Sequence, residues 1–189
     1  VTHPSRATTG RLLLAQPQLT EANFERTVVF MLEHNDEGAV GVVINRPTDL
    51  RIAEVLADWR DLAADPAVLH VGGPVSQTSV LALGLTPMGS NAPVLGFGQV
   101  VGRIGTVDLN APPEMLLGDL EAVRFFAGYS GWGAGQLDWE LEDDSWFVVD
   151  AMDSDVLDPD PESLWRRVLQ RQPDRLQLLA HYPPDVSVN

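Results

Sequence analysis

The sequence predicts an α+β domain in which antiparallel strands outweigh helices. Three observations carry this expectation. Apolar runs rich in β-branched and aromatic residues outnumber the helical patterns. Neighbouring runs are joined by short turns, and the first third lacks the regular strand–helix–strand alternation of a doubly wound parallel sheet. The 189 residues, 44% apolar and 21% charged, suit one globular domain with its own core. Positions 1–9 are read as a flexible tail and 10–189 as the domain.

Each element has a local reason. The apolar run Arg11 to Ala15, closed by Pro17, reads as a strand. Thr27 to Leu32 is a buried strand, Asn35 to Gly38 a turn, and Ala39 to Asn45 the returning arm of a hairpin. Thr48-Asp49 is expected to cap a helix carrying Leu50, Val55, Leu56 and Trp59. Leu69 to Val71 makes a short strand that ends at Gly72-Gly73-Pro74. Val80 to Leu85 and Ile104 to Leu109 read as strands across a Gly/Pro-rich stretch. Pro112-Pro113-Glu114 starts a helix, because proline fits a first turn without losing a needed bond. Val123 to Ala127 is a strand, and a helix is expected from Gly133 through Leu141. Trp146 to Val149 is a strand; Pro161 to Gln170 is a helix with Leu164, Trp165, Val168 and Leu169 on one face. A last helix is expected near Asp174 to His181.

Composition removes whole classes of chemistry. The chain has no Cys, which excludes thiolate nucleophiles, disulfides, Cys-ligated zinc and iron–sulfur clusters. All twelve basic residues are Arg, so Schiff-base chemistry and a P-loop lysine are excluded too. A net charge of −15 offers a poor footprint for nucleic acid, whose binding depends on basic residues displacing counterions. The same field repels anionic membrane surfaces. No apolar stretch approaches the roughly 20 residues that cross a bilayer, and the first apolar run is shorter than a signal-peptide core. A cytoplasmic protein is the expectation.

The segment Gly128-Tyr129-Ser130-Gly131-Trp132-Gly133-Ala134-Gly135 places four glycines in eight residues between an expected strand and an expected helix. It fails the P-loop, the dinucleotide fingerprint and the nucleophile elbow. Two readings remain: a tight turn plugged by Trp132, or amides at a helix start that hold an anion. Tyr129, Trp132 and Trp139 suit a recognition surface and suit a core equally well.

This segment closely resembles the signature of the AlgH/YqgE family of largely uncharacterised bacterial proteins. Three more segments match in order: Phe24 to Val29 with Glu33-His34, Gly38 to Pro47, and Gly72 to Val75. The resemblance implies an AlgH-like fold, a mainly antiparallel, bifurcated sheet bent into a pseudo-barrel with flanking helices. It implies no established reaction; the family is named in part for a role in transcriptional regulation. The family commonly has Ala where this chain has Ser130, so no catalytic serine is assigned.

Several residues qualify as ligand contacts. Glu33 and His34 end a strand, but His3, His70 and His181 are isolated and lack metal-ligand spacing, so no metal site is assigned. In Asn45-Arg46-Pro47 the proline holds Arg46 extended. Its guanidinium can grip a phosphate or carboxylate bidentately, or pair with Glu33 or Glu25 inside the protein. Asp153 to Asp160 fails the EF-hand pattern and reads as an acidic surface loop beside the arginines of the 161–170 helix. Gln136 and Glu140 share a helix face. If that face meets the hairpin end, Gln136, Glu140, Arg46 and His34 line one cleft. The candidates are therefore Arg46, Asn45, His34, Glu33, Gly131, Trp132, Gly133, Gln136 and Glu140, with no catalytic residue and no cofactor. The leading expectation is a non-enzymatic regulatory or protein-interaction domain. The alternative is an enzyme or binding protein for a small anionic, phosphate-bearing metabolite. Direct transcriptional regulation on DNA is disfavoured by charge.

Overall fold

Alternation along the first three strands decides the architecture. In a computed structural model, which describes residues 8–19, 24–90, 92–173 and 175–181, β1 (Arg11–Ala15), β2 (Val28–Asn35) and β3 (Gly38–Val43) lie side by side and antiparallel. Leu12, Leu14, Val28, Phe30 and Val42 enter one core, whereas Leu13, Ala15, Val29, Met31 and Val43 enter another. Both faces are covered, which is why these strands read as near-continuous apolar runs.

The remaining strands are β4 (Pro47–Arg51), β5 (Val68–Val71), β6 (Val75–Leu85), β7 (Phe97–Val101), β8 (Ile104–Val107), β9 (Ala122–Gly133) and β10 (Trp146–Asp150). The main path runs β10-β1-β2-β3-β9-β6-β8-β7. The long β9 forks the sheet: Ala127 pairs with Val80 on one side and Val71 of β5 on the other, while Gly131 and Gly133 pair with β3. Only the β5–β9 pairing between named strands is parallel. The sheet curls into a half-barrel, and Arg103 beside β8 holds Asp153 at 2.8 Å and Glu121 at 2.9 Å. The helices α1 (Ile52–Val55), α2 (Gln136–Glu142), α3 (Asp153–Val156), α4 (Leu164–Gln170) and α5 (Arg175–Leu179) are short. Val156, Leu164, Trp165, Val168 and Leu169 fill the half-barrel's inner core.

Local structure departs from the sequence reading in specific places. The helix expected from Thr48 is strand β4 followed by one α-helical turn, Ile52–Val55, and a 3-10 turn, Ala57–Trp59. Thr48 Oγ1 donates to Leu69 O at 2.7 Å, so it serves the β4–β5 ladder rather than capping a helix. The helix expected at Pro112 is a single 3-10 turn, Pro113–Met115. Strand β7 lies within the Gly/Pro-rich stretch between Leu85 and Ile104, where no strand is expected. Most of the glycine segment is strand: β9 continues to Gly133, and only Ala134-Gly135 makes the tight turn into α2 at Gln136, with Gly135 at φ +71. Of the expected tail, residues 1–7 lie outside the described residues, whereas Thr8 is buried and Thr9 Oγ1 accepts the His34 amide at 3.1 Å.

Two buried polar side chains face the inner core. Arg124 on β9 is 1% exposed and donates to the carbonyls of Asp158 and Asp65. Burial lowers its pKa to about 10. His70 on β5 is 0% exposed, and its ring meets Phe126 edge-on at 5.8 Å. Burial, reinforced by the charge of Arg124, lowers the His70 pKa to about 4. An unfolded histidine takes up its proton below about pH 6.5, and the folded protein resists that until about pH 4. The stabilisation is thus fully present above about pH 6.5 and declines by about 3 kcal/mol as the pH falls to about 4. Urea unfolding across this window is expected to lose that part of its slope in His70→Gln. An unchanged slope would refute the assignment.

Candidate functional site

The β2–β3 hairpin tip and α2 form the first cluster. His34 sits one residue before the end of β2, opposite Ala39, and its side chain is 2% exposed. Thr8 Oγ1 lies 2.9 Å from His34 Nδ1, and His34 Nε2 lies 3.6 Å from Asp138 Oδ1. Thr8 shares a hydrogen bond with Nδ1, whereas Asp138 Oδ1 stands beyond hydrogen-bond reach of Nε2 and is a buried oxygen without a hydrogen-bond partner among the described residues. The histidine thereby ties residues 8–9 to the hairpin and lies against Asp138 of α2.

Gln136 and Glu140, one turn apart on α2, form a second set of ties. Glu140 Oε2 accepts the indole N–H of both Trp132 and Trp146 at 2.8 Å. Its Oε1 accepts Gln136 Nε2 at 2.9 Å, and Gln136 Oε1 accepts the Gly133 amide at 3.0 Å. Phe24, Trp132 and Trp146 meet ring against ring beneath this network. The polar chain clamps α2 onto β9 and β10. Trp139, on the same helix, points outward and is 63% exposed. Glu33 joins Asn35, Glu37, Gly38, Ala39, Val40 and Trp132 around a shallow hollow of about 200 Å³. Neither 31–45 nor 128–146 contains a basic residue other than His34, whereas together they hold Glu33, Asp36, Glu37, Asp138, Glu140, Glu142, Asp143 and Asp144.

Asn45 and Arg46 stand elsewhere. They follow β3 at the open end of the hairpin, roughly 20 Å from its tip at about 3.3 Å per residue. The single cleft expected for Gln136, Glu140, Arg46 and His34 does not form, because the two arms of a hairpin separate its turn from its ends. Asn45 Oδ1 accepts the Val28 amide at 2.8 Å, and its Nδ2 donates to Arg26 O at 2.9 Å. Arg46 Nη2 donates to Glu25 O at 3.0 Å. Burial lowers the Arg46 pKa, and the charge of Glu25 opposes that shift. These residues line a second hollow of about 470 Å³ with Arg26, Pro47, Val71 and Glu162.

The structure thus gathers His34, Glu33, Gly131, Trp132, Gly133, Gln136 and Glu140 at one end and Asn45 and Arg46 at the other. The glycine amides form no helix-start cradle. Gly131 and Gly133 pair with Val40 and Gly38 in the ladder, and Ser130, 0% exposed, donates to Gly72 O at 3.3 Å. Sequence reasoning missed Asp138 as the neighbour of His34, Arg26 as the neighbour of Arg46, and Arg166 beside Arg26. The approach of Asp138 to His34 is set by α2 folding back on β3, which no local spacing reveals. Of the three aromatic candidates, Trp132 is core, Tyr129 half-buried and Trp139 exposed. Among the described residues, no group of three His, Asp or Glu is placed to hold a metal ion, and no helix is long and apolar enough to cross a membrane.

A family model described as AlgH-like matches residues 12–177. A UPF0301 protein of Streptomyces coelicolor is 51% identical over 184 residues, covering 96% of this chain and 95% of its own. A crystal structure of a Corynebacterium diphtheriae protein is similar with a TM-score of 0.89 at 32% identity, covering 96% of this chain and 94% of that one. The solution structure of the AlgH protein from Pseudomonas aeruginosa is similar with a TM-score of 0.66 at 28% identity, covering 97% of both chains.

Proposed function

The chain belongs to the AlgH-like family, and from that premise we propose that it is a cytoplasmic protein-interaction domain of regulatory character. It binds a basic segment of a partner protein on the face made by α2 and the β2–β3 hairpin tip. The observation that carries this reading is Trp139, a large aromatic side chain 63% exposed on a face whose segments 31–45 and 128–146 hold no arginine. Exposed tryptophans are frequent anchors of binding energy, and indole faces attract guanidinium and ammonium groups. The surrounding carboxylates complement a basic partner and speed its encounter. Binding is favoured over catalysis because His34 is bonded to Thr8, and Glu140 to two indoles and Gln136.

Titration with an arginine-rich peptide, followed by tryptophan fluorescence, tests the reading. Saturable binding is expected that weakens with salt and drops about tenfold or more in Trp139→Ala, since anchor truncations cost roughly 2 kcal/mol. The variant should melt within about 0.5 kcal/mol of the parent, as surface substitutions do. Equal binding by Trp139→Ala, or by a glutamate-rich peptide of the same length, would overturn it.

A further inference from the structure

A chain with a net charge of −15 places three of its twelve arginines around a cleft made of two hollows that share Arg26 and Glu162. Arg46 and Arg26 line the hollow at the open end of the hairpin, and a second hollow of about 200 Å³ shares Arg26 and Glu162 with it and adds Ser163, Trp165 and Arg166. The three guanidinium groups come from separate parts of the chain: the approach to β2, the β3–β4 connection and the first turn of α4. We propose that this cleft is a binding site for a small phosphate ester, independent of the α2 face.

The cleft is built rather than incidental. Arg26 adopts φ +51, a left-handed conformation that costs a side-chain-bearing residue roughly 1–2 kcal/mol. Asn45 holds it there with its bonds to Arg26 O and the Val28 amide. The conformation lays the Arg26 guanidinium 5.2 Å above the Trp165 ring, itself only 3% exposed, so the aromatic wall orients the cation. Arg46 is oriented in turn by Glu25 O and by the extended backbone that Pro47 imposes. Forked guanidinium groups match phosphate oxygens bidentately. The carboxylates of Glu25 and Glu162 also line the walls, and they accept hydroxyl groups of the ligand's organic part. Asn45-Arg46-Pro47 therefore acts as one device: Asn45 sets Arg26, Pro47 sets Arg46, and Arg46 faces the ligand.

Amide NMR titration of the full chain with adenosine 5′-monophosphate, inorganic phosphate and pyrophosphate, each at matched ionic strength against sodium chloride, tests the proposal. Saturable shifts are expected at Arg26, Arg46, Val71 and Glu162, strongest for the ester. Arg166 is exposed, so Arg166→Gln should fold normally while weakening binding about tenfold, the worth of one charge-assisted hydrogen bond. Arg60→Gln, which lines neither hollow, should bind as the parent does. Shifts that sodium chloride reproduces, shifts indifferent to Arg166→Gln, or no saturable shift with any of the three phosphates would each overturn the assignment. Binding of inorganic phosphate or pyrophosphate with no gain for the ester would overturn its organic part and leave an inorganic anion site.

Discussion

Replacing Asp155 with alanine is expected to destabilise the protein by about 3–5 kcal/mol, the cost of stranding one member of a buried ion pair. Asp155 is 2% exposed, and Arg171 grips it with both terminal nitrogens, at 2.6 Å and 2.7 Å. The carboxylate also accepts the Met152 amide at 2.7 Å, and Arg171 donates to Asp150 O at 3.1 Å. One pair thus fastens α3, the end of β10 and the residue after α4 beneath the inner core. For a domain of this size each kcal/mol lowers Tm by about 2–4 °C, so a fall of roughly 6–20 °C is expected. The double variant Asp155→Leu/Arg171→Met should recover most of the loss, because it removes both charges instead of orphaning one. Urea unfolding of the single and double variants decides the matter; a single-variant cost below about 1 kcal/mol would mean that solvent reaches the pair. The pairs of Arg167 with Asp158 and Asp160 form a contrast on the same helix. Arg167 is 38% exposed, so those pairs are screened and contribute at most about 1 kcal/mol.

That contrast marks where the sequence stops being legible. Asp153 to Asp160 and the arginines near α4 read as one solvated set of charges, and local ion pairs do form there. Which carboxylate is buried depends on how α3 meets α4, a tertiary matter. The β2–β3 hairpin was legible because its apolar runs and its Asn35–Gly38 turn are local. The strand β4 was misread as a helix because Thr48 and Asp49 are good caps, yet the partner of Thr48 is Leu69, 21 residues away. The α2 network was half legible: the spacing of Gln136 and Glu140 placed them together, but nothing local placed two indoles on Glu140. The arginine cleft was legible only through Arg46, since Arg26 and Arg166 are neighbours by fold alone.

The signature glycines give the sharpest test of what the family resemblance encodes. After β5, residues Gly72 to Pro74 cross directly over β9 before β6 begins, and the two backbones meet at Gly128. Gly128 and Gly135 share the same φ of +71, so an alanine at either meets the same backbone penalty. Their surroundings differ. A Cβ at Gly128 would lie 2.6 Å from Val75 O and 2.7 Å from Gly73 O, whereas a Cβ at Gly135 meets nothing within 4 Å. Gly135→Ala is expected to cost about 1–2 kcal/mol, the left-handed penalty alone. Gly128→Ala must also push two backbones apart in a packed interior, and is expected to cost more than about 4 kcal/mol or to prevent folding. Thermal and urea unfolding of the two variants side by side isolates the crossing from the dihedral. Similar costs would mean that the chain relaxes freely at the crossing, and the glycines would then need another explanation. A large difference would establish the signature as the imprint of two strands meeting backbone to backbone, which accounts for a glycine-rich motif without a ligand on it.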